Sequence, residues 1–595
     1  MKNEINLRIE ALRAAMSAAG IDAVIIPQTD PHQSEYLADH WQARRWLSGF
    51  TGSAGSLVVT ADKALLWTDS RYFIQAADQL DGTGIVLMKD GLPDTPSITA
   101  YLCSTLPSGS TVGVDGMLLS AAEVERMAPE YAGHGIKIDT SFDIIDNIWH
   151  DRPPLPKEPI FIHGMEYAGQ DAADKLAGIL AEARGHGADA TFISALDEIA
   201  WALNIRSRDV KYNPVVTAYL FVGDRGGVLF TDPDKADRDI VDYLLSQGVM
   251  TCNYTGIKSF IANLPADTKV LIEPASTSAT LAGLLGDRAV KGKSPVALAK
   301  ACRNEAQIRG IREAMVRDGI ALTYAMMEVE KALAEGRRIT EMDVDALLLK
   351  HRSAQPLFFD ESFGTIAGYG PHGAIVHYEA DEASNAEIRP EGLLLIDSGA
   401  QYLDGTTDIT RTIACGTPTA AERHDFTLVM KGHIALARMV FPEGTRGTQL
   451  DAVARQYLWR EGLAYLHGTG HGVGHFLNVH EGPQGIRLND VPTPLMPGMV
   501  TSNEPGLYRE GIHGIRCENL MLTVPAMTTE FGRFLRFETI TLFPFDLSLF
   551  ETGIMNPNEI AWVNDYHATV REALSPGLDA EARAWLAEKT RPLPL

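Results

Sequence analysis

Four carboxylates and several histidines between residues 377 and 518 fall on stretches that read as strands or sharp turns. Leu393-Leu394-Leu395-Ile396-Asp397 closes an apolar run on an acid. A turn at Leu403-Asp404-Gly405 leads into Thr407-Asp408-Ile409-Thr410-Arg411-Thr412-Ile413, whose alternation predicts a strand with Asp408, Thr410 and Thr412 on one face. A hairpin of this kind would bring Asp397 and Asp408 together. Val500-Thr501-Ser502-Asn503-Glu504 predicts another strand ending in an acid, and Gly514–Leu522 predicts a strand with Glu518 inside it. Buried carboxylates are costly unless a cation offsets them. Taken one at a time, each acid reads as a surface residue or a salt-bridge partner. Together with His471, however, Asp397, Asp408, Glu504 and Glu518 make a set of four negative charges and one imidazole, enough to neutralise two divalent ions. Such ligands favour hard or borderline ions such as Mn²⁺ over thiolate-bound zinc. Two ions sharing carboxylates could hold a hydroxide between them, giving a nucleophile at neutral pH and a Lewis acid for a carbonyl oxygen.

Two neighbouring patterns point elsewhere. His467 and His471 are four apart, as zinc-binding histidines on a helix would be, but Gly468, Gly470, Gly472 and Gly474 interleave them. Each glycine costs a helix roughly 1 kcal/mol relative to alanine, so the segment reads as a loop whose backbone approaches something closely. Gly368-Tyr369-Gly370-Pro371-His372-Gly373 satisfies a dinucleotide-binding pattern, but Ala374-Ile375-Val376-His377-Tyr378 follows it and predicts a strand. Without a helix after it the pattern carries no phosphate role.

The elements around these residues fall into four stretches. Residues 1–152 open on an amphipathic helix ending at Gly20, with strands at Ala23–Ile26, Ser56–Thr60 and Ala64–Thr68 and a helix at Arg71–Gln79. The four prolines of Asp151–Pro159 break helices and ladders alike and place a boundary there. Residues 159–293 repeat the first stretch: Gly187-Ala188-Asp189-Ala190 matches Gly20-Ile21-Asp22-Ala23, and Val228–Asp232 matches Leu65–Asp69. A duplicated pair of α/β domains is expected. Residues 294–530 begin with a long helix, about Asn304–Glu335, and a capping box at Thr340-Glu341-Met342-Asp343, then change to short strands and Gly-rich turns of α+β character. Residues 531–595 read as a largely helical extension for packing or dimerisation, with Asn556 as N-cap and Ile560, Val563, Tyr566, Val570 and Leu574 at helical spacing.

Composition narrows the partners. Lys plus Arg is 52 against 77 Asp plus Glu, a formal net charge of −25, which repels phosphate backbones and argues against nucleic acid. No apolar run reaches the length of a membrane span. Glu4, Arg8, Glu10 and Arg13 interrupt what would be the core of a secretion signal. Five scattered cysteines form no CxxC pair, so a reducing cytoplasm is the expected location.

At the metal-ligating residues the sequence resembles the "pita-bread" metallopeptidases, and most closely the three-domain cytosolic aminopeptidase P type. His467–Pro483, Thr501–Tyr508 and His513–Leu520 carry the resemblance, with Trp67–Phe73, the duplicated N-terminal region and Asn564–Leu574 extending it over nearly the whole chain. The resemblance implies creatinase-like N-terminal domains and a pita-bread catalytic domain. It implies Asp397 on one metal, His471 and Glu504 on the other, and Asp408 and Glu518 bridging both, with a hydroxide completing the bridge. Glu504 would also assist proton transfer. His377 would contact the scissile region, His480 would stabilise charge on the attacked carbonyl, and His467, with Arg516, would line the pocket beyond the cleaved bond.

The reaction so implied is hydrolysis between an N-terminal residue and a following proline, with a homodimer expected. That tertiary amide has no N–H and a fixed φ, so a site using the N–H as a donor would fail where a metal-activated water would not. A prolidase acting on Xaa-Pro dipeptides shares the ligands, but the long N- and C-terminal parts favour the aminopeptidase. A methionyl aminopeptidase would leave about 290 N-terminal residues without a purpose. A non-catalytic peptide-binding scaffold on the same fold is the reading from another class, and the full ligand set speaks against it.

Overall fold

The computed structural model describes residues 2–594. The chain divides into two compact units, one running up to Gly164 together with Gln170–Ala297, the other comprising Met165–Gly169 and the residues from Leu298 onward.

In the first unit, helix α1 (Lys2–Ala19) buries Ile5, Ile9, Leu12 and Met16 at helical spacing. It stops where Gly20 takes a φ of +71°, a conformation that a side chain would strain. Strands β1 (Ala23–Pro27), β2 (Ser56–Thr60), β3 (Ala64–Thr68), β4 (Val86–Lys89), β5 (Thr111–Gly113) and β6 (Lys137–Asp139) form a sheet in the order β4-β3-β2-β1-β5-β6. Strands β7 (Ala190–Ile193), β8 (Tyr219–Gly223), β9 (Gly226–Thr231), β10 (Val249–Asn253), β11 (Val270–Ile272) and β12 (Ala289–Lys291) form a second, in the order β10-β9-β8-β7-β11-β12. The two orders correspond strand for strand. So do the directions: β1 runs antiparallel to β2 and parallel to β5, and β7 runs antiparallel to β8 and parallel to β11. This is the duplication read from the two short sequence matches. The two halves, each with its own sheet, lie in one compact unit. Backbone bonds stitch them together, Ala121 N to Thr277 O and Ala279 N to Leu119 O, each 2.8 Å.

The second unit opens with α2 (Glu305–Ala334), whose N-cap Asn304 exchanges hydrogen bonds with Gln307. Helix α3 (Glu341–Ser353) has the expected capping box between Thr340 and Asp343. Strands β13 (Ile366–Tyr369), β14 (Leu393–Ser398) and β15 (Ile409–Ala414) form an antiparallel sheet in that order. A four-stranded sheet runs β16-β22-β21-β18, from β16 (Val440–Pro442), β18 (Val500–Asn503), β21 (Asn519–Thr529) and β22 (Gly532–Thr539). Two ribbons complete the strands near the site. One includes β17 (Gly470–His471), and the other pairs β19 (Gly506–Arg509) with β20 (His513–Arg516). Helices α4 (Ala420–Ala437), α5 (Gly447–Trp459), α6 (Pro557–Leu574) and α7 (Ala580–Lys589) pack around them.

The boundary expected at 530 falls at the turn of the β21–β22 hairpin, so the sheet holding β18 and β21 continues through β22. The apolar stripe of α6 is internal: Ile560, Val563, Tyr566, Val570 and Leu574 pack with Phe426, Val429, Met430 and Ile434 of α4 in one core. This piece therefore packs within the unit, the first of the two roles expected of it. Ala374–Tyr378 is not a strand, because Gly370–Ala374 coils into a 3₁₀ turn led by Pro371. A strand precedes the Gly-rich segment and no α-helix follows it, so no phosphate cradle forms there.

Candidate metal centre and active site

The β14–β15 hairpin builds the first part of the site. Asp397 pairs in register with Thr410 and Ser398 with Ile409, which places Asp408 at the mouth of the hairpin beside Asp397. Glu504 follows directly on β18, held by its N–H to Thr469 O at 2.8 Å and by Ser502 Oγ to its Oε1 at 3.1 Å. Glu518 does not lie within a strand as expected. The chain breaks between β20 and β21 at Cys517-Glu518, and Glu518 N donates to Thr410 O at 3.0 Å while its Oε2 accepts from Thr410 Oγ1 at 2.7 Å. Breaking the ladder at this point frees an acid to aim inward from an otherwise apolar stretch.

The glycine-rich loop supplies the imidazole. A Cβ at Gly470 would lie 2.0 Å from Ser502 O, and one at Gly472 2.0 Å from Glu481 O. The glycines are there because backbone passes against backbone. His471 Nδ1 faces Gly472 O at 2.9 Å, which turns Nε2 toward Asp408 Oδ2 and Glu504 Oε1, both at 3.4 Å. Ligand atoms of Asp408, His471 and Glu518 all lie within 4.8 Å of one another.

The electrostatics are those of a crowded, dry acid cluster. Burial pushes Asp397, Glu504 and Glu518 above the usual carboxylate range, Glu518 well above it, and the neighbouring acids push further. Burial pulls the His471 imidazole down, but its hydrogen bond to Asp408 and the Glu504 and Asp408 charges outweigh that and raise it to about 9. Asp397 Oδ1 and Glu518 Oε1 have no hydrogen-bond partner among the described residues. Orphaned carboxylate oxygens in a buried cluster are what a cation would satisfy, and the grouping of Asp408, His471 and Glu518 fits one.

The histidines expected to meet substrate lie alongside. His480 stands edge-on to His471 with ring centroids 4.4 Å apart, and His377 stacks near His480 at 6.5 Å. His377 sits on the 369–386 loop, which Glu341 clamps. One carboxylate oxygen accepts from Tyr369 N and faces His372 Nδ1, and the other accepts from Tyr378 Oη and Ala386 N, all at 2.8 Å.

Comparison with known proteins matches residues 309–525 to Metallopeptidase family M24 and residues 533–593 to the C-terminal region of that peptidase. Residues 8–142 and 151–307 each match a Creatinase/Prolidase N-terminal domain. The chain is 41% identical to Aminopeptidase P2 of Arabidopsis thaliana, over 99% of this chain and 89% of that one. It is 40% identical to a probable Xaa-Pro aminopeptidase P of Sordaria macrospora, over 98% and 99%. The chain belongs to the aminopeptidase P group of family M24. The structure is similar, with a TM-score of 0.96 and 35% identity over 100% of both chains, to that of an X-prolyl aminopeptidase from Caenorhabditis elegans, described as a cytosolic enzyme with a di-nuclear active site.

Arg516, expected to line the substrate pocket with His467, turns its guanidinium to the acid cluster. It is 1% exposed and its guanidinium is taken up by Asp397 Oδ2 at 2.7 Å, Tyr508 Oη at 2.7 Å and Val376 O at 3.1 Å. It is the cation that steadies Asp397. Tyr508 in turn meets His467 Nε2 at 2.8 Å, so Asp397, Arg516, Tyr508 and His467 form one chain from the acid cluster to the predicted substrate pocket. Sequence reasoning missed Tyr508, Thr410 and Ser502. Tyr508 stood in the quoted Thr501–Tyr508 motif and Thr410 on the acid-bearing face, but hydrogen bonds between distant segments leave no spacing to read.

Proposed function

We propose that this chain is an Xaa-Pro aminopeptidase, releasing the N-terminal residue that precedes a proline. The observation that carries this reading is the cluster of Asp408, His471 and Glu518, with Glu504 beside His471, orphaned carboxylate oxygens on Asp397 and Glu518, and His480 and His377 alongside. Asp397, Asp408, His471, Glu504 and Glu518 would together hold the metal ions. When bound, the two divalent ions would supply an activated water as nucleophile and a Lewis acid for the scissile carbonyl. The hard ligand set suits Mn²⁺, and the di-nuclear description of the C. elegans enzyme supports the count of two.

The protein groups then divide the work. Glu504 accepts and returns the proton of the attacking water. His480, against the face of the cluster, donates to the oxygen on which charge develops. His377 orients the peptide at the scissile bond, and His467, steadied by Tyr508, lines the space for the proline side. None of these contacts requires an N–H on the scissile nitrogen, which proline lacks. A cytoplasmic homodimer is part of the proposal. The description of the C. elegans enzyme as cytosolic supports the location.

The test is product analysis of an Arg-Pro-Pro tripeptide and an Ala-Pro dipeptide, with Mn²⁺ and with chelator. Free arginine released only with metal, with little dipeptide cleavage, is expected. Preferential dipeptide cleavage would move the assignment to a prolidase. Cleavage of neither by metal-loaded protein would remove the proline specificity.

A further inference from the structure

The C-terminal motif Asn564–Leu574 has no part in the reaction just described, yet its Tyr566 is buried and reaches toward the acid cluster. Its hydroxyl meets Arg411 Nη2 at 2.9 Å, Phe543 O at 2.9 Å and Thr541 O at 3.0 Å. Arg411 lies next to Thr410 on β15 and uses its whole fork. Nη1 donates to Thr410 O at 2.9 Å and to the backbone carbonyl of Glu518 at 2.5 Å. Nη2 donates to Asn519 Oδ1 at 2.8 Å and Phe543 O at 2.6 Å, and Nε donates to Pro544 O at 3.1 Å. The guanidinium is buried with its carbon 4.0 Å from the Phe545 ring centroid.

These contacts converge on the break in the strand. Glu518 sits between β20 and β21, where no regular ladder holds its backbone. Arg411 grips its carbonyl, and the next side chain, Asn519, is gripped twice. Its Oδ1 takes the Arg411 hydrogen bond, and its Nδ2 meets His433 Nε2 at 3.3 Å, while His433 Nδ1 faces Cys517 O at 3.2 Å. Donor and acceptor roles agree if His433 carries its proton on Nδ1, donating to Cys517 O and accepting from Asn519. Residues 517, 518 and 519 are thus pinned one after another, from β15, α4 and α6.

We infer that Tyr566 and Arg411 are positioning residues of the metal centre: the C-terminal helix, through the Arg411 fork, sets where the Glu518 carboxylate stands. This rests on the reading of Glu518 as a metal ligand. A carboxylate that ligates a metal tolerates little displacement, and partners that hold a ligand in place typically contribute ten- to a hundred-fold in metal affinity.

The experiment compares full-length wild type, Tyr566→Phe and Val563→Ala, the last removing only packing on the same helix. Co²⁺ titration monitored by visible absorption, Mn²⁺ affinity by competition with a chelating indicator, and thermal melting are measured on each. Wild type is expected to take up two ions; failure to do so would remove the metal reading itself, independently of Tyr566. Y566F is expected to keep its fold but to lose about ten-fold in affinity for one ion, with an altered Co²⁺ spectrum. V563A is expected to melt earlier with affinity and spectrum unchanged. Wild-type affinity and spectrum in Y566F would overturn the inference, as would equal changes in both variants, which would make the effect one of stability alone. Should Y566F fail to fold, Asn519→Ser removes another acceptor of the same fork. Unchanged Co²⁺ binding in N519S would then overturn the inference, and a ten-fold loss would sustain it.

Discussion

Arg516 carries two tasks, neutralising Asp397 and joining it to Tyr508 and His467. Burial pushes the Tyr508 phenol up to about 12, so it stays a hydrogen-bond donor throughout the working pH range. With Nδ1 of His467 facing Gly468 O at 2.7 Å, the ring accepts from Tyr508 at Nε2, and Tyr508 accepts from Arg516. Tyr508→Phe should therefore leave two ions bound by metal analysis but lower kcat/KM by about ten-fold, because His467 loses its orientation. A Y508F enzyme with unaltered kinetics on a Xaa-Pro-containing tripeptide would show that His467 is placed by something else.

At the scale of elements, the helices of the second unit act as fixed posts for loops that have no ladder of their own. Glu341, the first residue of α3, is wholly buried and holds the 369–386 loop by hydrogen bonds to Tyr369, Tyr378, Ala386 and His372. Deleting a buried carboxylate that satisfies several donors leaves each of them unmet. Glu341→Ala is expected to cost about 2–4 kcal/mol in denaturant unfolding and to raise KM through displacement of His377, with metal stoichiometry intact. A variant with lowered stability but wild-type KM would place His377 independently of this clamp.

At the scale of the whole molecule, acid tolerance has a traceable contributor outside the metal centre. Asp425 on α4 pairs with Arg509 at 2.5 and 2.7 Å and with His513 at 3.0 Å, binding the β19–β20 ribbon to the helix. Burial pushes its carboxyl up, but Arg509 and His513 outweigh that and hold it at about 2, below the ordinary 3.8. A carboxyl depressed in the folded state contributes stability that is complete above the unfolded value and lost as pH falls through the folded one. Asp425→Asn should thus melt below wild type at pH 6, and the gap should close between pH 4 and pH 2. A gap that stays constant over that window would assign the effect of the substitution to packing. No helix among the described residues is long and apolar enough to cross a membrane.

Much of this was legible in the chain itself. Residue type and period determined the long capped helices α2 and α3, the strands β1 to β3, the duplication of the first unit, and the acids and imidazole proposed as metal ligands. Each of these depends on neighbours within a few positions, as with Asn304 and Gln307 at the start of α2, or on a motif that survives in linear order. What only the tertiary structure decided are relations between segments a hundred or more residues apart. Arg516 reads locally as a cation in an apolar strand, and only folding sets it on Asp397, 119 residues away. Glu518 reads as an interior strand residue until the β15 hairpin, bonding at Thr410 and Arg411, shows the break that turns it inward. The C-terminal helix reads as an appended piece because amphipathic spacing reports that a face is buried, not against what. Its partner, α4, lies more than a hundred residues earlier, and contact at that distance is written in shape and hydrogen-bond complementarity rather than in period.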